Sequence, residues 1–562
     1  MLDRNAMSDL IARARRAGLA PNWIDASGHH QTVSPDTLRT VLNALAGYEA
    51  GDDAPQADAR CFSIEEVMSG RRATALAVQL YSLRATDGFG DLGALATLAS
   101  AVAPLGVDAI AVSPIHAPFL TAAADISPYA PSSRLFLNPL YAAVDVPDDG
   151  KDGLVDWPEA SRAKLARLRD RFSVEEANTD ARLRNHARFE ALDAHFRKQG
   201  LCRWQDWPGA YRDPRSAEVE AFANAHRDEI SFQVFLQHLT DQHLANAQTT
   251  ARSAGMAIGL IADIAVGMSP HGSHAWSVPG EVLRGLTIGA PPDIFNPQGQ
   301  NWGLTALSPA ADNDAFAATW SASMRHAGGV RIDHAMGMHR LWVIPEGAGS
   351  ADGVYLHYPM HRILATLCEA SRRHSAIVIG EDLGTVPEGF RETMRGTGIL
   401  GMEVLWFQRE GRGFLPASSW SPRAAALTTT HDLPTVAGWW RGRDIDWLEK
   451  LGRRSEHGDV AAERWARGED RSHLWRAIGE GDEPGPEDTE PVVEAALAFV
   501  GGTPCDIAIV PVEDVLGLIE QPNIPGTIAE HPNWRRRLPP GDAFAHPQAG
   551  ANLSTLVRAR SR

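Results

Sequence analysis

Gly328-Gly-Val-Arg331-Ile-Asp333-His334 leads short apolar residues into an arginine, an aspartate and a histidine. This is the composition of a buried parallel strand with a carboxylate at its C-terminal end. The two glycines end the preceding helix. Val330 and Ile332 alternate with Arg331 and Asp333, which puts the two charged groups on one face. An aspartate flanked by Arg and His stays ionised, because nearby positive charge lowers its pKa. Such a group serves as a nucleophile or closes the strand as an ion pair, and this stretch alone favours the ion pair, because structural ion pairs are common.

The same grammar recurs along the chain. Apolar runs at Ala77–Tyr81, Asp108–Pro114, Ala257–Asp263, Ala376–Asp382, Met402–Phe407, Ala425–Asp432 and Asp506–Pro511 are mostly separated by helical stretches. With Gly328–His334 they make eight units. Alternating strand and helix builds a parallel sheet with right-handed crossovers, and eight units suggest a closed (β/α)8 TIM barrel of the α/β class. An open doubly wound sheet is the alternative. No GxGxxG or GxxxxGK[ST] loop follows the first strand to support it.

Around this core the reading expects a small helical region at 1–70, where Ser34 caps a helix that begins with Pro35. The catalytic barrel spans 73–562, with inserted helical subdomains, chiefly one at about 115–255. A chain of 562 residues is long enough for this plan. Its formal charge of −17 argues against nucleic acid or an anionic membrane as partner. No apolar run reaches membrane-spanning length. The four cysteines, Cys61, Cys202, Cys368 and Cys505, stand far apart and form no CxxC pair. That fits a reducing compartment, and a cytoplasmic protein is expected.

Three strands end in carboxylates that would meet at one rim of the barrel: Asp333, Glu381 and Asp432. Barrel active sites are built at that rim. Crowded carboxylates raise the pKa of at least one member. Glycoside chemistry uses such a pair, one group attacking the anomeric carbon while a protonated partner supplies the leaving oxygen with its proton. Metal binding stays open on residue type, without HExxH-like spacing to support it.

These residues resemble the amylomaltases, bacterial 4-alpha-glucanotransferases also called disproportionating enzymes, of the alpha-amylase-like glycoside hydrolase group. The likeness runs from about Ala77 to Leu538. It rests on Gln79-Leu-Tyr-Ser-Leu-Arg84 with Gly90-Asp-Leu, on Ser127-Pro-Tyr129 through Asn138-Pro, and on Gly289-Ala-Pro-Pro-Asp293 through Gln300-Asn-Trp302-Gly. Arg331-Ile-Asp333-His334, Glu381-Asp-Leu-Gly384 and Thr430-His431-Asp432 resemble the catalytic motifs. Pro522-Asn523-Ile-Pro-Gly526-Thr527 and Pro532-Asn-Trp534-Arg resemble the C-terminal signature. At His274 the relatives tend to carry an acidic residue.

The resemblance implies a retaining transglucosylase that moves alpha-1,4-glucan segments between maltooligosaccharides or starch- and glycogen-derived glucans. Donors are alpha-1,4-glucans and acceptors are glucose or maltooligosaccharides; no metal or organic cofactor is implied. Asp333 would be the nucleophile, Glu381 the acid and then the base, and Asp432 the holder of sugar hydroxyls. Tyr129, Asp293, Gln300, Trp302, Arg331, His334, His431 and Asn523 would bind substrate. A lid loop at about 289–303 would exclude water and favour transfer. An alpha-amylase-type glucan hydrolase, with the same carboxylates and an open site, is the alternative.

Overall fold

The eight apolar runs form one parallel sheet: β1 (Ala73–Val78), β2 (Ala109–Val112), β3 (Gly259–Ile264), β4 (Gly329–Ile332), β5 (Ile377–Gly380), β6 (Gly401–Val404), β7 (Ala424–Leu427) and β8 (Ile507–Pro511). These assignments come from a computed structural model. It describes the chain apart from residues 1–3, 26–27, 52, 55–58, 85–87, 123–126, 145–152, 174–178, 293–297, 454–457, 541–543, 545 and 562.

The strand order is β5-β4-β3-β2-β1-β8-β7-β6. Leu400, just before β6, closes the ring against β5. It accepts the Gly380 N–H at 2.8 Å and donates its own to Val378 O at 3.0 Å. The result is a (β/α)8 barrel. Its strands are buried on both faces, which explains the near-continuous apolar runs.

Helices follow most strands, among them Leu92–Val102, Asn313–Met324, Met360–His374 and Glu490–Gly501. Between β6 and β7 the described residues form only short 3-10 turns and a two-stranded hairpin at 409–414. Gly328 and Gly329 have a packing reason as well as a helix-ending one. A Cβ on Gly328 would lie 2.0 Å from Ile258 O, and one on Gly329 would lie 2.8 Å from Ile377 Cγ1. The adjoining strands come that close only to bare backbone.

Between β2 and β3 lie helices Trp157–Asp170, Ala181–Arg197, Ala217–Ala225 and Arg227–Ser253. Their apolar stripe is core: Phe232 and Leu236 are buried with Leu168 and Val144. Lys164 ties this region to the barrel through a buried ion pair with Asp91 at 2.8 Å. Asp91 also caps helix Leu92–Val102 by accepting from Gly93 and Ala94 N–H. Removing either partner would strand a buried charge, at a cost of about 3–5 kcal/mol.

A second, antiparallel sheet stands beside the barrel. It joins Gln300–Leu304, Leu286–Ala290, Arg340–Pro345, Val354–His357 and Leu19–Ala20 in that order. The N-terminal residues thus contribute a strand, with Leu19 opposite Leu356. They also form helices Arg4–Arg16, Pro35–Ala44 and Ile64–Met68. Ser34 caps the second of these by accepting from Thr37 N–H, with Pro35 at its start. No helix among the described residues is long and apolar enough to cross a membrane.

Candidate active site

Parallel pairing sets Arg331 of β4 opposite Asp263 of β3. The guanidinium uses that register. Its Nη1 lies 2.9 Å from both carboxylate oxygens of Asp263, and Nη2 lies 3.2 Å from Oδ1 of Asp333. One cation therefore holds two carboxylates at the rim.

The next residue, His334, has φ +46°, in the left-handed region that side chains other than Gly seldom occupy. This turn points its N–H at Glu381 Oε2, 2.8 Å away. Glu381 follows β5, and its Oε1 accepts the Leu383 N–H at 2.7 Å. Glu381 O also accepts the Ala335 N–H at 2.9 Å. The strand ends bearing Asp333 and Glu381 are thus stitched together by backbone. Burial, reinforced by Asp333 and opposed by Arg331 and the two N–H donors, pushes Glu381 up to about 7.

Asp432 follows β7. Its Oδ1 accepts from Asn523 Nδ2 at 2.6 Å, and its Oδ2 lies 3.4 Å from His431 Nε2. Burial pushes this carboxyl up, but His431, Asn523 and Arg331 outweigh it and leave it below its ordinary range. Burial also works against charge on His431, yet Asp432 prevails and raises the imidazole.

Tyr129, from the loop after β2, stacks on His431 with ring centres 4.7 Å apart. Its hydroxyl donates to Asp263 Oδ2 at 2.6 Å and lies 3.2 Å from His431 Nδ1. A polar chain therefore runs from Asp432 through His431, Tyr129, Asp263 and Arg331 to Asp333. Beneath it a cavity of about 80 Å³ descends into the barrel between Ala77, Ala111 and Ala425.

Trp302 meets this rim from the second sheet, its ring edge-on to His334 with centres 5.2 Å apart. Its indole N–H donates to Gln300 Oε1 at 3.2 Å. Asp293, expected in the same loop, lies outside the described residues. Among the described residues no group of three or more His, Cys, Asp or Glu side chains is arranged to hold a metal ion.

The family model described as 4-alpha-glucanotransferase, glycoside hydrolase family 77, matches residues 78–543. The chain belongs to the 4-alpha-glucanotransferase family. It is 35% identical over 563 residues to the 4-alpha-glucanotransferase of Mycobacterium tuberculosis, covering 88% of this chain and 76% of that one. It is 30% identical to that of Haemophilus influenzae, covering 85% and 77%. In fold it is similar to amylomaltase from Corynebacterium glutamicum, with a TM-score of 0.80 at 23% identity over 99% of each chain. Amylomaltase from Streptococcus agalactiae in complex with acarbose gives 0.69 at 18%, covering 88% of this chain and all of that one.

In this 4-alpha-glucanotransferase the structure brings together Asp333, Glu381, Asp432, Tyr129, Arg331, His334, His431 and Asn523, with Trp302 and Gln300 at the edge. His274 is not among them: it is 2% exposed, and among the described residues neither ring nitrogen has a hydrogen-bond partner. Three neighbours were not singled out for the site from sequence. Asp263 carried the same signal as Asp333, a carboxylate ending an apolar strand, but its partner appears only once β3 and β4 are paired. Gln521 donates to Asp432 O at 3.2 Å. Trp534, at φ +55°, sets its ring 5.4 Å from His431 and 5.7 Å from Tyr129.

Proposed function

We propose that this glucanotransferase works by double displacement, moving alpha-1,4-glucan segments from maltooligosaccharide, starch or glycogen donors to glucose or maltooligosaccharide acceptors. Asp333 attacks the anomeric carbon and forms a glucosyl ester. Glu381 gives its proton to the departing oxygen, then takes one from the incoming acceptor hydroxyl. Asp432 and Asn523 hold ring hydroxyls, and the Tyr129–His431 stack offers a face to the sugar. Arg331 aims Asp333 and offsets the charge gathered at the rim.

The observation that carries this reading is the contrast between neighbouring carboxyls. Glu381 is buried and pushed to about 7, so it holds a proton near neutrality. Asp333, one strand away, is ion-paired to Arg331. One carboxyl is prepared as acid and the other as nucleophile. A retaining pair should stand about 5–5.5 Å apart. Trp302, against His334, supports a lid role for the loop at 289–303, which admits an acceptor sugar before water.

Incubation with maltotriose alone tests the proposal. Transfer yields glucose together with chains longer than three units. A hydrolase yields only shorter products, and that result would reject the reading.

A further inference from the structure

Arg134, on the strand Ser133–Leu137, is 6% exposed. Its Nη1 donates to the carbonyls of Ala265 at 3.0 Å and Val266 at 3.1 Å. Its Nε is buried and has no partner. Among the described residues no carboxylate forms an ion pair with it.

Two other cations held inside the fold have carboxylate partners. Lys164 has Asp91, and Arg331 has Asp263. Among the described residues Arg560 also forms no ion pair with a carboxylate, but carbonyls use all three of its nitrogens: Ala73 O for Nε, Gly501 O and Thr503 O for Nη1, and Cys505 O for Nη2. Arg134 lacks both the charge and the full set of acceptors.

The imidazoles that feel its charge bring none of opposite sign. His274, whose imidazole feels the charge of Arg134, is buried with both ring nitrogens unpartnered among the described residues. His116 is buried too, its Nε2 3.4 Å from the Ala265 N–H. Burial, followed by the charge of Arg134, pushes both imidazoles down to about 3, so both are neutral. Arg134 lines a cavity of about 50 Å³ together with Ala265, Val266, Tyr358, Asp333 and His334. Space of this kind holds a water from about 10–15 Å³ upward, so particles of that size fit. A buried cation without a counter-charge is costly, and an anion in the cavity would remove the imbalance.

We propose that Arg134 binds a small monovalent anion of the halide class in this cavity, behind the loop that carries Asp333. Asp333 is already engaged by Arg331, so the anion sits at the Arg134 end. Binding stabilises the fold by mass action and does not depend on the transfer reaction.

The test compares thermal midpoints in sodium chloride, sodium bromide and sodium gluconate at equal ionic strength, alongside anomalous scattering from bromide-soaked crystals. Gluconate is too bulky for the cavity. The expected result is a saturable rise of about 2–4 °C in the halides, with a bromide peak at hydrogen-bond distance from Arg134 Nε. His274→Glu supplies an internal carboxylate and should lose both signals. Arg134→Met, which removes the charge, should lose them as well if His274→Glu fails to fold. Absence of bromide at Arg134 in the wild type overturns the proposal whether or not the midpoint responds to salt. A peak that persists in either variant also overturns it.

Discussion

Tyr129 donates its phenolic hydrogen to Asp263 at 2.6 Å, joining the loop after β2 to the end of β3. The same ring lies flat on His431, from the far side of the barrel. Tyr129 is therefore where the half of the site held by Arg331 meets the half held by Asn523. Tyr129→Phe keeps the stack and removes the bond. A hydrogen bond to a charged group contributes about 1.5–3 kcal/mol, so kcat/KM for maltotriose should fall roughly 10- to 100-fold. Steady-state kinetics checks this, with a melting curve to show that the fold is kept.

Arg331→Lys tests the fork. Lysine offers a point charge where Asp263 and Asp333 receive a planar pair of donors. Breaking a buried pair costs about 3–5 kcal/mol. If most of that falls on the transition state, kcat drops on the order of 100- to 1,000-fold. An unchanged kcat would mean that the fork aims nothing.

Glu381 makes two linked pH predictions. As the acid it must be protonated, so kcat/KM should fall as pH rises through about 7. Stability moves the same way. Between about 4.5 and 7 the folded state keeps the proton while the unfolded state has released it, so stability is lost as pH rises across that window. The full loss is on the order of 3 kcal/mol. Glu381→Gln should therefore be nearly inactive, yet lose stability less steeply over that window. Denaturant midpoints at pH 4.5 and pH 8 measure the difference.

Shortening the loop between the strands Leu286–Ala290 and Gln300–Leu304, with Trp302→Ala, should raise hydrolysis relative to transfer. The ratio is read as new reducing ends against chain-lengthened products. If it does not change, the loop does not guard the site against water.

The barrel and the three carboxylates were legible in sequence because each parallel strand is buried on both faces and ends where the polar rim begins. Asp333, Glu381 and Asp432 each follow such a run. The second sheet was not legible. Leu19–Ala20 is too short to show a period, and its partner Val354–His357 lies more than three hundred residues away. In the strand Arg340–Pro345 the five residues after Arg340 are apolar and buried without alternation, and the strand pairs on both edges. Asp263 shows what pairing adds: its carboxylate was visible as a strand end, but its hold on Arg331 depends on the β3–β4 register. Arg134 looks ordinary in sequence and His274 stood out only against relatives with an acidic residue there, and their missing partners appear only in three dimensions.

The central claim is a glucosyl ester on Asp333. Glu381→Gln, given a maltosyl fluoride whose leaving group needs no acid, should form that ester and then stall for want of a base. Peptide mass mapping after a rapid acid quench measures it directly. The account predicts a glycosyl mass increment on the peptide that contains Asp333. Fluoride release with no adduct there, or with the increment on another residue, would contradict it.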